Sequence, residues 1–490
     1  MRNLLVFVFL STLTLGAETT TFPYLQHVTE NSAELYWVSR SPESIRVEWL
    51  GYESHSQASP APELSYHEQE VREFPELDER SSLYLHKVKL TGLTANQTIR
   101  YAIHYREGSY RNTFQSLPPK DKAVRLIAYA DSETEPESTG KLANWGHPVE
   151  PKRPYLIDQT RGYEWNLQAI SQRAPNAVLI AGDLVQSGGE QRDWDEFWYR
   201  NRELAARIPL LPAPGNHEYW SGPKQGGYEP NASQWAISKY RTYFHPKGQT
   251  KASPYYSQDI GRATIISLDS GDGFPNKSRR DTNYHLEAVG QFTPGFHKGS
   301  EQRRWLKKEL QRAQKAGQFI IVMFHHCPYS SGPHGFEAGN GAKQDTQSGQ
   351  PLRSLTPLLT QYGVAVILSG HDEMFERSEI SGVEMCPDGS LKPYRLQVYD
   401  VGVGGDGLRR PSRHNQFSEF LAYRDSPEIW KNGQLKSGGR HYGHLEIEVV
   451  PRSRGHWKAT LRSIYLLPIL QNEKWTFERC VYQDTITLSR

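Results

Sequence analysis

Six apolar runs of this chain each end at a polar side chain of a type that binds metal ions. The runs 123–130, 177–182, 210–215, 263–268, 320–324 and 364–370 lead in that order into Asp131, Asp183, Asn216-His217-Glu218, Asp269, His325-His326 and His371-Asp372-Glu373. Carboxylate, amide and imidazole groups supply the oxygen and nitrogen ligands of protein metal sites. The pattern therefore predicts a metal centre assembled from residues that lie far apart in the sequence.

The apolar runs also predict the elements that position these side chains. Short β-branched runs closed by Gly or Pro are typical of buried strands rather than helices. Helical patterns such as 302–310 lie between them, and this alternation indicates an α/β fold. Because open α/β sheets place their sites outside the carboxyl ends of the strands, we expect the polar residues at such an edge.

The first hundred residues follow a different pattern. Between residues 22 and 114, short runs alternate with period two and are separated by turn residues, which predicts a β-sandwich. A proline pair, Pro118-Pro119, indicates a stiff linker between this region and the α/β part. A length of 490 residues is enough for two such domains.

The composition narrows the possible partners. A formal net charge of +2 gives the chain no basic surface of the kind that nucleic acids or anionic membranes attract. We therefore expect no nucleic-acid binding. The content of 37% hydrophobic and 23% charged residues is that of a soluble globular protein.

The N-terminus has the pattern of a secretory signal peptide. A short cationic start at Met1-Arg2-Asn3 precedes an apolar stretch, residues 4–15, and the small pair Gly16-Ala17. The stretch is shorter than the roughly 20 residues that a membrane-spanning helix needs. We therefore predict cleavage after residue 17, a secreted or periplasmic protein, and no membrane span after signal removal.

Five of the strand-end motifs, in their order, resemble those of the metallophosphoesterases of the purple acid phosphatase type. They are Asp131, Gly182-Asp183, Gly215-Asn216-His217-Glu218, Val322-Met323-Phe324-His325 and Gly370-His371-Asp372-Glu373. Pro23-Tyr24-Leu25-Gln26, Leu90-Thr91-Gly92-Leu93 and Tyr101 resemble landmarks of the fibronectin-III-like domain that precedes the catalytic domain in that family. The resemblance implies a signal peptide (1–17), a fibronectin-III-like β-sandwich (20–117) and a metallophosphoesterase α/β-sandwich catalytic domain (122–490) with a C-terminal β-rich tail.

The same resemblance implies roles for individual residues. Asp183 would bridge two metal ions, with Asp131 and Glu373 on the first ion, and a metal-bound hydroxide would attack the phosphorus atom. The remaining residues divide into ligands of the second ion (Asn216, His325, His371), groups that hold substrate or move protons (His217, His334) and neighbours of the ligands (His326, Gln186). Expected cofactors are iron or manganese in the first position and zinc, manganese or iron in the second.

Two residues depart from the family pattern. Gln186 stands where purple members have Tyr, and Glu373 stands where they have His. Together the changes preserve charge, because an anionic phenolate is lost and a carboxylate is gained. The first position would then be rich in hard oxygen ligands, which favours iron, manganese or magnesium, and the protein should not be purple.

Two further groups of acidic residues have simpler interpretations. Asp269 matches no metal ligand of the family and is expected to be structural. The acidic run Glu133, Glu135 and Glu137 is more typical of a solvated loop, although it could bind a cation near Asp131.

The resulting function is that of an exported binuclear metal-dependent hydrolase of phosphate esters, a phosphomonoesterase acting on a small phosphorylated substrate. One alternative is a phosphodiesterase or nucleotidase that uses the same site. Another is a catalytically silent binding protein that has lost the first metal position, for which Gln186 and Glu373 are the supporting features. Oligomeric state stays open at this point.

Overall fold

A computed structural model describes residues 19–77, 82–106, 108–145, 153–244, 254–287, 293–385, 389–412, 421–424 and 427–489. The predicted signal peptide, residues 1–17, lies outside these ranges. Twenty-five strands and six α-helices are formed within them.

The N-terminal region consists of two antiparallel four-stranded sheets. Its elements are β1 (Tyr24–Gln26), β2 (Ala33–Ser39), β3 (Arg46–Trp49), β4 (Tyr52–His55), β5 (Gln57–Pro60), α1 (Glu68–Glu73), β6 (Tyr84–Leu90), β7 (Thr98–Tyr105) and β8 (Gly108–Gln115). One sheet has the order β1-β2-β6-β5 and the other β4-β3-β7-β8. In β7 the alternate residues Ile99, Tyr101 and Ile103 are buried in the core between the sheets, as period two requires.

The rest of the chain alternates strands with helices and then ends in strands. In order these elements are β9 (Val124–Tyr129), β10 (Leu142–Trp145), β11 (Arg153–Asp158), α2 (Gln159–Arg173), β12 (Ala177–Ile180), α3 (Gln191–Ala205), β13 (Leu210–Pro212), α4 (Pro230–Tyr243), β14 (Tyr256–Ile260), β15 (Ala263–Ser267), α5 (Glu301–Lys315), β16 (Phe319–His326), α6 (Thr356–Gln361), β17 (Val366–Gly370), β18 (Phe375–Met385), β19 (Leu391–Val401), β20 (Leu421–Arg424), β21 (Ile429–Lys431), β22 (Gln434–Ser437), β23 (Gly443–Pro451), β24 (Trp457–Gln471) and β25 (Lys474–Ser489). The predicted α/β class with a β-rich N-terminal region is confirmed.

Two mixed sheets form the centre of this part. The first has the order β13-β12-β9-β23-β24-β25, and the second β14-β15-β16-β17-β19-β18-β20. The strands that carry the predicted site run parallel to one another, β9 with β12 and β13 in the first sheet and β16 with β17 in the second. Their carboxyl ends therefore meet at one edge of each sheet.

Burial along the strands shows four layers. Leu126 and Leu179 of the first sheet share one apolar core with Ile321 and Leu368 of the second, so the sheets face each other. The opposite face of the first sheet packs against helices α2, α3 and α4, and that of the second against α5 and α6. Strands covered on both faces read as continuous apolar runs, which explains their pattern in the sequence.

The N-terminal sheets pack directly on the α/β part. The Tyr24 hydroxyl donates a hydrogen bond to the Tyr243 carbonyl oxygen (3.1 Å), and the buried Tyr101 hydroxyl donates to the Ala206 carbonyl oxygen (3.0 Å). None of the helices in the described ranges is long and apolar enough to cross a membrane.

Candidate metal centre

The predicted ligands come together where the two sheets present their strand ends. Asp131, Asp183 and Asn216 follow β9, β12 and β13, while His325 lies in β16 and His371 follows β17. Left-handed backbone conformations are concentrated here, at Asp131 (φ 57°), Glu133 (36°), Asp183 (53°), His371 (79°) and Glu373 (48°). Each costs about 1–3 kcal/mol for a residue with a side chain, and such strain is typical of functional sites.

Four residues converge in what we call the imidazole side: Asp183, Asn216, His325 and His371. The His325 Nε2 atom lies 2.8 Å from Asp183 Oδ2 and 2.9 Å from Asn216 Oδ1. Its other ring nitrogen donates to the Ala181 carbonyl oxygen (2.9 Å), so Nε2 faces the two oxygens. Asp183, His325 and His371 each offer one ligand atom within 4.8 Å of the others. This donor set fits a transition-metal ion.

The pKa values of His325 and Asp183 also indicate that the imidazole side suits a cation. Burial alone would lower the pKa of His325, but the carboxylate of Asp183 raises it to about 9. Burial would raise the pKa of Asp183, and the neighbouring His325 and His217 hold it well below its usual range. The two groups thus form a buried ion pair, and a metal ion between them would replace the shared proton.

His371 and Asp131 are joined through the backbone. Both carboxylate oxygens of Asp131 accept from the His371 backbone N–H, at 2.9 and 3.0 Å. The His371 Nε2–H donates to the Gln347 carbonyl oxygen (2.7 Å), which leaves Nδ1 with the lone pair that a metal ligand needs. Burial raises the pKa of Asp131 to about 8, so this carboxyl is costly to ionise unless a cation lies beside it.

Two glycines allow the carboxylates to reach these positions. A β-carbon on Gly215 would lie 2.0 Å from Asp183 Oδ1, and one on Gly370 would lie 2.1 Å from Asp131 Oδ2. No larger residue fits at either position without displacing a predicted ligand. The glycines that close the apolar runs therefore serve the site as well as the turns.

Glu218 is a supporting residue to which sequence reasoning gave no role, although it lies inside a motif. Its carboxylate, which is fully buried, accepts from the backbone N–H groups of Asp183 (3.0 Å), Leu184 (2.9 Å) and Gly215 (2.6 Å). It thereby ties the turn after β12 to the turn after β13.

Three further acids form what we call the carboxylate side: Glu133, Glu373 and Asp406. One oxygen from each lies within 4.8 Å of the others, and all three residues are buried. Glu133 also lies within that distance of ligand atoms of Asp183 and His217, so it joins the two sides. The solvated-loop interpretation is therefore wrong for Glu133, which is only 4% exposed.

His217 lies between the two sides. Its Nδ1–H donates to the Gln186 backbone carbonyl oxygen (2.6 Å). Its Nε2 then faces the centre, 3.9 Å from Glu133 Oε2 and 4.0 Å from Asp183 Oδ2. Gln186 is half-buried and contacts His217 twice, because its side-chain amide nitrogen also lies 3.4 Å from His217 Nδ1.

His334 and His326 flank the imidazole side. The His334 ring lies 3.9 Å from that of His371, its Nδ1 is 3.0 Å from Asp345 Oδ2, and its Nε2 accepts from Arg409 (3.2 Å). The His326 ring lies 4.5 Å from that of His371 and its Nδ1 bonds to Ser270 (2.9 Å). Asp269 accepts from Tyr219 and from the Gly271 backbone, away from the ligand groups.

Comparison with known proteins gives consistent similarities. The family model of calcineurin-like phosphoesterases matches residues 157–373. An uncharacterized protein of Mycobacterium tuberculosis is 28% identical over 322 residues, 63% of this chain and 53% of its own length. Purple acid phosphatase 21 of Arabidopsis thaliana is 23% identical over 306 residues, 60% of this chain and 56% of its own. The chain thus spans about half the length of these relatives.

A solved structure extends the similarity to the fold of nearly the whole chain. The purple acid phosphatase PPD1 from yellow lupin seeds superimposes with a TM-score of 0.63 at 17% identity, covering 96% of this chain and 75% of that one. The match includes the N-terminal β-rich region and the strand β9, which the family model omits.

Proposed function

Because the chain contains a calcineurin-like metallophosphoesterase domain and is a homologue of the purple acid phosphatases, we propose that it is an exported two-metal hydrolase of phosphomonoesters. The observation that carries this proposal is the convergence of Asp183, Asn216 and His325 on one point, with atoms 2.8–2.9 Å apart. A carboxylate, an amide oxygen and an imidazole that meet at one buried point form a donor set that suits a transition-metal ion.

The residues divide between two ion positions. Asn216, His325 and His371 would hold one ion, Asp131 and Glu373 the other, and Asp183 would lie between them. Two ions held there would polarise the phosphoryl oxygens and lower the pKa of a bound water towards about 7. Amide and imidazole ligands add no negative charge, so the imidazole side keeps its attraction for a phosphate ester.

His217 is placed to move a proton. Its Nδ1–H is committed to the Gln186 carbonyl oxygen, so only Nε2 can exchange a proton with a substrate at the centre. With a proton on Nε2, the ring can donate to the oxygen of the leaving alcohol, as a general acid does. Its Nε2 faces Glu133 Oε2 at 3.9 Å and Asp183 Oδ2 at 4.0 Å, so the atom that would donate the proton lies at the centre.

Arg409 and His334 form a polar rim beside the metal positions. The Arg409 guanidinium contacts His334, and its side chain is 44% exposed, so it can meet an anionic substrate from solvent. A guanidinium binds phosphate oxygens in a fixed, forked geometry. Substrate phosphate would thus be held between this rim and the ions.

One contact favours the second candidate function, a silent binding protein. The Glu373 carboxylate is paired with Arg409, so a metal ligand is here engaged by a cation of the protein itself. If that pair is permanent, the first position is lost and the fold retains one ion at most.

Metal content and hydrolysis of 4-nitrophenyl phosphate, measured on the same preparation, separate the two. We expect two metal ions per chain and turnover that a chelator abolishes and added metal restores. A single tightly bound ion without turnover would establish the silent protein instead. A phosphodiester such as bis(4-nitrophenyl) phosphate, measured in parallel, tests the diesterase alternative.

Export and the domain boundary are part of the same proposal. Cleavage after residue 17 and a boundary near Pro118-Pro119 rest on the sequence pattern alone. Mass spectrometry of the protein recovered outside the cytoplasm should give a chain that begins near Glu18. A chain that retains Met1 would contradict export by this route.

A further inference from the structure

The carboxylate side holds more negative charge than the motifs account for. Glu133, Glu373 and Asp406 are 4%, 3% and 8% exposed, and one oxygen from each lies within 4.8 Å of the others. Asp406 is held there by the backbone, because its N–H donates to the Asp131 carbonyl oxygen (3.0 Å). Three ionised carboxylates in so small a buried volume repel one another, so the group must either bind protons or have a cation between its oxygens.

Two cations act on this group, Arg409 and Lys141. Arg409 pairs with Glu373, and its backbone N–H also donates to the Glu373 carbonyl oxygen (2.9 Å). The nearby Lys141 is bonded to Glu135 instead (2.8 Å). Among the described residues, the buried Oδ1 atom of Asp406 has no hydrogen-bond partner at all. Arg409 thus pairs with one of the three acids, Lys141 acts on Glu133 and Asp406 without pairing with either in the described structure, and one buried oxygen of Asp406 has no partner.

The Glu373 carboxylate occupies space that is open only because residue 407 is glycine. Gly407 has a φ of +67°, and a β-carbon on it would lie 1.7 Å from Glu373 Oε2. Glycine is therefore required directly after Asp406 for Glu373 to turn its carboxylate towards Glu133. The three carboxyl groups are therefore packed so closely that the backbone beside them must be glycine.

We propose that Glu133, Glu373 and Asp406 bind a hard, oxygen-preferring cation such as Mn²⁺ or Mg²⁺, so that the first metal position is formed by carboxylates that reach beyond the family motifs. The inference rests on the proposed function in taking Asp183 as the group shared with the imidazole side. Glu133 supplies the continuity, since it lies within 4.8 Å of Asp183 and of Glu373 alike. Carboxylate oxygens are the ligands that such cations prefer.

Arg409, which is paired with Glu373, would compete with a metal ion for this carboxylate. A cation that binds Glu373 must displace Arg409, whose exposed side chain is free to turn towards solvent and His334. Removing the guanidinium should therefore strengthen cation binding, whereas removing a carboxylate should weaken it. Opposite effects at adjacent residues are not expected from a general loss of structure.

The test is a Mn²⁺ titration of the metal-stripped full-length protein, followed by the electron paramagnetic resonance signal of the free ion and by metal content after dialysis. Asp406→Asn and Glu133→Gln should each weaken one of two binding events by at least about tenfold, as loss of a metal contact does. Arg409→Gln should tighten the same event several-fold. Glu137→Gln is the matched control, because Glu137 lies in the same acidic run but is exposed and paired with Arg192.

Binding by Asp406→Asn that equals that of the original protein would overturn the inference, as would weaker binding by Arg409→Gln. Ester hydrolysis measured on the same samples separates this from the proposed function. Two bound ions without hydrolysis would refute the function and leave the carboxylate site standing. Hydrolysis together with unchanged Mn²⁺ binding in Asp406→Asn would refute the carboxylate site and leave the proposed function standing.

Discussion

The imidazole side and the carboxylate side are neighbouring candidate sites for a cation, and they differ in the chemical type of their ligands. His325, Asn216 and His371 are ligands that add no negative charge. His325 Nε2 lies 2.8 Å from Asp183 Oδ2 and 2.9 Å from Asn216 Oδ1, and His371 offers an atom within 4.8 Å of Asp183 and His325. Glu133, Glu373 and Asp406 are three buried carboxyl groups, of which Glu373 is paired with Arg409. A neutral ligand set can be assembled before its ion arrives, whereas a set of buried carboxyl groups needs either a cation or bound protons.

This difference predicts that the two positions behave differently when metal is removed. The imidazole side needs only a shared proton to stay in place, which the buried pair of Asp183 and His325 supplies. On the carboxylate side, a cation of the protein, the guanidinium of Arg409, is paired with Glu373. The two positions should therefore differ in affinity, in preferred metal and in their response to mutation.

The largest effect should come from His325→Ala. It removes a ligand from the imidazole side, which no neighbouring group replaces, and a lost metal contribution of several kcal/mol corresponds to at least about 10³-fold in turnover. Asn216→Ala should act in the same direction. Metal analysis and kinetics with 4-nitrophenyl phosphate check this, and His456→Ala, at an exposed histidine, is the control. Unchanged metal content and activity in His325→Ala would refute the ligand assignment.

His217→Ala tests the group between the two sides. As a general acid for the leaving oxygen, His217 should contribute a factor of roughly 10²–10⁴ in turnover. Metal content should not change, because His217 is not proposed as a ligand. The loss should be smaller for nitrophenyl esters, whose leaving groups need no proton, than for alkyl esters. Equal losses for both classes would indicate substrate positioning in place of proton transfer.

Glu373→Gln should weaken cation binding on the carboxylate side while the imidazole side keeps its ion. The affinity loss should be at least about 10–100-fold, the size found even for groups that only support a ligand. Metal titration resolves the two events. A loss at both positions, or at the imidazole side alone, would contradict the separation between the sides.

The double variant Gln186→Tyr with Glu373→His sharpens the comparison by restoring the usual ligand set of the purple members. With iron bound, a phenolate at position 186 should give a visible charge-transfer band that the original protein lacks. The single variant Gln186→Tyr controls for tyrosine alone. An iron-loaded but colourless double variant would show that residue 186 does not reach the first ion.

The smallest effect is expected at Glu446, on β23 of the sheet that carries Asp131. Burial alone would raise the pKa of Glu446, but His444 and Arg479 lower it to about 2. The charged form thus stabilises the fold above about pH 4.5, and this contribution is lost as the pH falls towards about 2. Glu446→Gln should cost about 2 kcal/mol of unfolding free energy near pH 7. Urea unfolding should show the difference shrinking at pH 3–4, with metal content unchanged; a constant difference would exclude the ionic cause.

The two sides also differ in how far the sequence could predict them. Asp183 and His325 close apolar runs, and the carboxyl ends of parallel strands must meet, so their proximity follows from pattern and topology. The position of Glu133 could not be predicted from strand ends, because it belongs to a run of acidic residues, and such runs are usually exposed to solvent in loops. Asp406 lies in a glycine-rich segment that follows β19 and resembles a strand exit of the family, but no ligand was expected there, and only tertiary structure brings it to Asp131. Whether these residues bind metal stays a prediction on both sides.

The pairing of β9 with β23 has a consequence for how the chain is made. These neighbours begin at residues 124 and 443, so the ribosome adds about 320 residues before the second strand exists. At roughly 5–20 residues per second, the edge of β9 that pairs with β23 stays without this partner for about 15–65 s. An open strand edge is a template for intermolecular pairing, so chains arrested before residue 443 should aggregate or require a chaperone on that edge.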